Sequence, residues 1–199
     1  MSSSSSSSKD ETVDGGGGVG PIPSSNWVVP GSLCAGGYPG SVDEQVAHEY
    51  AQAMATARFD TYVCLMESDE LARFRPYTEL IASAGAQLTP PLPVLDHVHF
   101  PIPDRGLPRD ETDLLALVRD MLARMSQGRK LYVHCWGGHG RTGTVVAVLL
   151  AHLHGISAKT SLIMWKQMHH TRTHHATRAS PEARQAAFVR RLLDKVEKK

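Results

Sequence analysis

The sequence predicts an α/β fold: a central, mostly parallel sheet of about four to five strands flanked by helices. Three observations carry that expectation. Short apolar runs alternate along the chain with longer stretches of helical periodicity. Two of those runs, Thr61-Tyr-Val-Cys-Leu-Met66 and Leu131-Tyr-Val133, are continuously apolar rather than alternating, as strands covered on both faces are. The chain has 199 residues, enough for one such domain with a real core and too few for two.

The elements follow in order. Residues 1–26 hold a polyserine run, four consecutive glycines and Pro21-Ile22-Pro23. They offer little to bury, so a disordered Ser/Gly-rich tail is expected there and the domain is expected to span 27–199. Leu33 to Gly36 reads as the first strand. Asp43 to Ala57 reads as a helix, with Val46, Tyr50, Met54 and Ala57 at helical spacing. Thr61 to Met66 is a buried strand. Glu70 to Ala84 is a helix broken at Pro76. Val98 to Ile102 is a strand that ends in Pro103-Asp104-Arg105-Gly106. Asp110 caps a helix to about Gln127, with Leu114, Leu115, Val118, Met121 and Leu122 inward and Gly128 as the stop. Lys130 to His134 is the next strand. Thr142 to His154 is apolar all round and suits a buried helix. Ser157 caps a helix to about His169, and Ser180-Pro181 opens the last one with serine as N-cap.

Composition narrows the function classes. Lys plus Arg is 21 and Asp plus Glu is 20, a net charge of +1, so no overall field draws the chain to nucleic acid. No apolar run approaches the roughly 20 residues of a membrane span. The stretch MSSSSSSSKDE lacks the apolar core of a signal peptide, and the expected location is the cytoplasm, with the nucleus also open. Three cysteines, Cys34, Cys64 and Cys135, are few and odd in number, which disfavours a disulfide scaffold.

The stretch His134-Cys-Trp-Gly-Gly-His-Gly-Arg-Thr-Gly143 carries the chemistry. A strand, a glycine-rich loop and a helix N-terminus in succession form an anion site, because the first helical amides lack partners and the macrodipole is positive there. Gly137, Gly138 and Gly140 let successive N–H groups turn toward one centre, and Trp136 and His139 complete the substrate-binding loop. An ATP site is excluded: Gly138 and Gly143 have the right spacing, but Thr144 follows where lysine is needed. Cys135 on the rim of that cradle is favoured as a thiolate, a nucleophile that needs no separate base. The Arg141 guanidinium can hold two phosphoryl oxygens into the transition state. The leaving oxygen needs a proton donor. Asp104, on a loop at the carboxyl edge of the sheet, is the best placed; Asp96, Asp110, Glu111 and Asp113 compete, Asp110 being better explained as a cap. Thr142 is expected to hydrogen-bond the cysteine sulfur, and His134 to order the loop. The histidines at 169, 170, 174 and 175 have no acidic or cysteine ligands around them, so no metal is expected. With Arg172 and Arg178 they read as a basic rim for acidic substrates.

His134-Cys135, five residues, then Arg141-Thr142-Gly143 resembles the signature of the cysteine-dependent protein tyrosine and dual-specificity phosphatases. The sequence between cysteine and arginine is most similar to the small kinase-associated phosphatases. Thr61–Met66 with Glu70-Leu-Ala-Arg73, Pro101-Ile-Pro-Asp104 and the Ser180-Pro181 start with Gln185 extend the likeness over roughly residues 27–195. The resemblance implies Cys135 as nucleophile, Arg141 as phosphate binder, Asp104 as general acid, a phosphocysteine intermediate and no cofactor. It implies phosphorylated proteins as partners, a protein kinase among them, and a monomer. Cys64 resembles the position from which lipid-phosphatase relatives form a reversible disulfide with the nucleophile. The loop lacks the lysines that inositol-lipid phosphatases of this class carry, and no long phosphotyrosine-recognition segment is present, so a shallow pocket open to phosphoserine and phosphothreonine is expected. A phosphoinositide phosphatase, an RNA 5′-triphosphatase and a non-enzymatic phosphate-binding module are the alternative readings.

Overall fold

The computed structural model describes residues 17–174 and 180–196. Among these residues, five strands form one sheet in the order β1-β2-β5-β3-β4. They are β1 (Ser25–Val29), β2 (Leu33–Gly36), β3 (Thr61–Cys64), β4 (Asp96–His99) and β5 (Leu131–His134). The β1/β2 pair is antiparallel and the other three pairings are parallel, as expected of a mostly parallel sheet. β2, β3 and β5 are buried along their whole length.

Among the described residues, seven helices accompany the sheet. α1 (Glu44–Thr56) starts at Asp43, whose side chain accepts from the Val46 amide, and packs on α3 (Tyr77–Ala86). Short α2 (Ser68–Leu71) precedes α3, the two separated before Pro76 as the broken pattern predicts. α4 (Glu111–Ser126) is capped by Asp110, which accepts from the Thr112 and Asp113 amides. α5 (Gly140–His154) is buried continuously from Arg141 to Ala151. It packs on β2 and β5, with α4, α6 (Ala158–His169) and α7 (Ala183–Val196) around it. That surrounding explains why its sequence is apolar on every face. Consequently β5 and α5 are both fixed deep in the core, and the loop between them is pinned at both ends.

Four expectations are corrected. The folded body begins before residue 27: Ile22 is 1% exposed, Ser25 and Asn26 are fully buried, and Val19 bridges Asn26. Ile22 supplies the apolar anchor, and β1 finds its partner in β2. Residues 1–16 of the expected tail lie outside the described residues. The strand expected over 98–102 has its regular pairing at Asp96–His99, because Pro101 and Pro103 have no N–H to give; the Phe100 and Ile102 amides still bond to Cys64 and Leu65 carbonyls. In α4 the buried face is Leu114, Leu117, Val118 and Met121, while Leu115 and Leu122 are only partly covered. Ser180 does not cap α7, which begins at Ala183. Its hydroxyl donates instead to the His139 carbonyl and accepts from Trp165 Nε1, both at 2.8 Å.

Candidate active site

The loop from Cys135 to Gly140 sits at the carboxyl edge of β5 and lines a cavity of about 610 Å³. Its carbonyls are held by the scaffold. The Trp136 carbonyl accepts from the Tyr38 amide at 2.8 Å, that of Gly138 from Arg172 Nη1 at 2.9 Å, and that of His139 from Ser180. In a trans peptide the next N–H points the opposite way, so these bonds turn the following amides toward the cavity. Amides so turned would suit an anion. Gly138 has φ +72, and a Cβ there would lie 2.2 Å from the Gly36 carbonyl carbon. Only glycine fits that turn.

His134, expected to order the loop, is bonded to it and to α3. Burial pushes its imidazole down to about 3, so the ring is neutral and has one donor and one acceptor nitrogen. The Cys135 carbonyl, 3.3 Å from Nδ1, can only accept, which makes Nδ1 the donor. Nε2 therefore accepts from the Tyr77 hydroxyl at 2.8 Å. His139 contacts His169 through Nδ1 and Nε2 at 2.8 Å.

Arg141 is the best-held side chain of the site. Its side chain is 2% exposed. Nη1 and Nη2 donate to the two carboxylate oxygens of Glu70 at 2.5 and 2.9 Å. Nη1 also donates to the Ile102 carbonyl at 3.1 Å and Nη2 to Asp104 Oδ1 at 3.0 Å. The Asp104 side chain is 63% exposed and lines the cavity with Cys135, Trp136, Gly137, His139, Gly140 and Arg141. Three residues far apart in sequence thus meet: a thiol on the floor, a guanidinium fixed beside it and a carboxyl at the mouth. Three of the four competing acids are engaged elsewhere. Asp96 pairs with Arg124, Asp110 caps α4, and Glu111 pairs with Arg191 and Lys195.

Thr142 does not make the expected bond to sulfur. It is fully buried and its hydroxyl has no hydrogen-bond partner. Trp136 is 43% exposed, meets Phe74 edge-on at 5.2 Å, and lies under Arg73 at 5.7 Å, forming an aromatic wall at the cavity mouth. Cys64 lies opposite His134 in the β3/β5 register, one position from Cys135. Burial pushes its thiol up to about 11. Arg172 is not part of a basic rim: it is 3% exposed and sits behind the loop. His175 and Arg178 of the same expectation lie outside the described residues.

Three residues act in the site in ways the sequence does not show: Glu70 and Gln185 carry no expected role there, and Arg172 carries a different one. Glu70 orients Arg141 across 71 positions. Gln185 steadies the Asp104 loop by donating to the Gly106 carbonyl at 3.0 Å, while its own oxygen accepts from the Glu182 amide. Arg172 holds Gly138. No local pattern marks any of them; a polar residue within an otherwise apolar helix face, as at Gln185, was the one available signal. Among the described residues no cluster of His, Cys, Asp and Glu suits a metal, and no single helix is long and apolar enough to cross a membrane.

Known proteins give the same outline. A family model described as "PTP-SAK: Swiss Army Knife protein, DSP-PTPase phosphatase domain" matches residues 23–191. The "Putative tyrosine phosphatase 067L" of Invertebrate iridescent virus 3 is 38% identical over 78 residues, 38% of this chain and 32% of that protein. The chain thus spans about a third of the length of such curated relatives. The crystal structure of Tk-PTP in the active form is 25% identical and superimposes with a TM-score of 0.61, covering 89% of this chain and 98% of that one. Kinase associated phosphatase, at 20% identity, shares the fold with a TM-score of 0.65 over 84% of this chain and 88% of its own.

Proposed function

The chain belongs to the DSP-PTPase phosphatase family, and on that premise we propose that it hydrolyses phosphate monoesters on proteins. Phosphotyrosine is the first substrate class, with phosphoserine and phosphothreonine also admitted by the open cavity mouth. The observation that carries this reading is Arg141, buried, gripped by Glu70 and aimed into the same cavity as Cys135 and Asp104.

The chemistry balances with these residues alone. The Cys135 sulfur attacks phosphorus as the ester P–O bond breaks, and Asp104 gives its proton to the leaving oxygen. Arg141 and the loop amides hold the equatorial oxygens, whose charge they follow into the transition state. The Asp104 carboxylate now takes a proton from water, the water oxygen attacks phosphorus, and the S–P bond breaks. Inorganic phosphate leaves and the thiolate is restored. Incoming phosphate competes with Asp104 for Arg141 Nη2, which frees the acid to turn toward the leaving group.

A phosphorylated protein kinase is one partner of this class, supported by the shared fold with kinase associated phosphatase. Cys64 is proposed as the partner that captures oxidised Cys135, on the strength of its place in the sheet opposite His134, the residue before Cys135. The test is phosphate release from a phosphotyrosine peptide, a phosphothreonine peptide and inositol phospholipids. Peptide turnover, fastest on phosphotyrosine, is expected. Activity confined to lipids would move the assignment to the phosphoinositide class, and activity on none would leave a binding module.

A further inference from the structure

Behind the loop lies a second buried guanidinium. Arg172 follows α6, and its Nε donates to Asn26 Oδ1 at 2.7 Å, its Nη1 to the Gly138 carbonyl at 2.9 Å and its Nη2 to the Ala35 carbonyl at 3.2 Å. All three acceptors are neutral. Among the described residues no carboxylate lies within ion-pair distance of it. The face of Trp165 lies 5.5 Å from its guanidinium carbon.

A buried cation without a counter-charge is costly, and such groups are normally paired. Burial pushes Arg172 down to about 10, so it is still charged at neutral pH. Tyr132, Cys135 and Cys34 are the groups whose negative forms would favour that charge. Two of them stay neutral: burial pushes Tyr132 well above its ordinary value and Cys34 up to about 12. The third, Cys135, opens the loop whose Gly138 carbonyl Arg172 holds, and takes the phosphoryl group in the proposed reaction. The other groups around Cys135 do not substitute for Arg172. Arg141 is matched by Glu70 and Asp104, His134 is neutral, and the Cys64 thiol is pushed up by burial. His139, on the loop itself, is engaged with His169.

We infer that Arg172 is a positioning residue of the reaction: a fixed positive charge behind the loop that favours the Cys135 thiolate and holds the Gly138 carbonyl away from the bound phosphate. The inference rests on the phosphatase reading, and its test does not depend on turnover. The pH dependence of Cys135 alkylation by iodoacetamide, followed by mass spectrometry, reports the thiolate directly. Arg172→Met removes the charge, Arg172→Lys keeps it, and Asn26→Asp keeps the hydrogen bond to Nε while setting a carboxylate against the guanidinium.

The alkylation profile should move about one pH unit higher in Arg172→Met and in Asn26→Asp, a tenfold loss of reactivity on the rising limb. It should stay near the wild-type position in Arg172→Lys. Because Asn26→Asp conserves the shape of the site, it decides the matter even where Arg172→Met fails to fold. In parallel, the acid limb of kcat/KM for a phosphotyrosine peptide should move to higher pH by the same shift. An unmoved alkylation profile in Asn26→Asp, or an equal shift in the methionine and lysine variants, overturns the inference. A wild-type protein that releases no phosphate would sink the phosphatase reading, while the alkylation profile still judges Arg172.

Discussion

Glu70→Gln is the sharpest probe of how Arg141 is held. The substitution keeps the side-chain shape and removes its charge. The carboxylate grips the guanidinium through two hydrogen bonds, 2.5 and 2.9 Å, and the two side chains are 7% and 2% exposed. Glutamine can accept one of these bonds and turns an N–H2 against the guanidinium with its other end. Losing a charge-assisted bond in such a site costs about 1.5–3 kcal/mol. If Glu70 supplies the alignment of Arg141 in the transition state, that loss becomes roughly a 10- to 150-fold fall in kcat/KM, at 1.36 kcal/mol per decade. The assay is steady-state turnover of a phosphotyrosine peptide at pH 6, with denaturant unfolding alongside. The unfolding has its own signature. Burial pushes the Glu70 carboxyl up, but the bonds from Arg141 and the Glu67 amide outweigh it and hold the carboxyl below its ordinary value. A depressed carboxyl contributes stability that is complete above its unfolded value, about pH 4.3, and is lost as the pH falls through its lower folded value. The stability gap between wild type and Glu70→Gln should therefore be full at pH 7 and close toward pH 3. A variant within twofold of wild-type kcat/KM would refute the argument that Glu70 positions Arg141.

Three further outcomes are expected. Asp104→Asn should lower kcat by about 10²–10⁴-fold on a phosphotyrosine peptide with little change in melting temperature, since its side chain is exposed; an equal loss of stability would point to a structural role. Burial pushes both His134 and His169 down to about 3, so the unfolded chain binds their protons first, and stability should fall as the pH drops from about 6.5 to 3. Denaturant midpoints across that range should show the slope, and His169→Gln should flatten it; an unchanged slope would mean that His169 does not titrate as assigned. Hydrogen peroxide should oxidise the Cys135 sulfur to a sulfenic acid, which the Cys64 thiol attacks with loss of water. Peptide mapping should find that disulfide in wild type and not in Cys64→Ser, whereas a bare sulfenic or sulfinic acid on wild-type Cys135 would rule Cys64 out.

Legibility in the sequence followed the distance over which each feature is built. The cradle was legible because strand, loop and helix start are contiguous from Leu131 to Gly143. Asp104 was legible because the edge on which a parallel strand ends is fixed by topology. Glu70 and Gln185 carry no local sign of their roles, since their partners lie 71 and 79 residues away. Arg172 stands in sequence among histidines and a second arginine, as a surface residue would; its burial depends on α6 packing against β1, where Asn26, and Ala35 on the adjoining β2, take its hydrogen bonds. β1 was missed because Ser-Asn-Trp-Val-Val has no pattern of its own and acquires its role by pairing with β2. The Thr142 hydroxyl stood at the right place in the motif, yet it is buried without a partner, a detail that rotamer and packing decide.

The most direct test of the account is to trap the covalent intermediate. Rapid acid quench of the wild-type protein turning over a phosphotyrosine peptide, followed by peptide mapping, should place one phosphoryl group on Cys135. Cys135→Ser should not turn over the peptide. Phosphate on any other residue, or turnover that persists in Cys135→Ser, would contradict the assignment of Cys135 as the nucleophile.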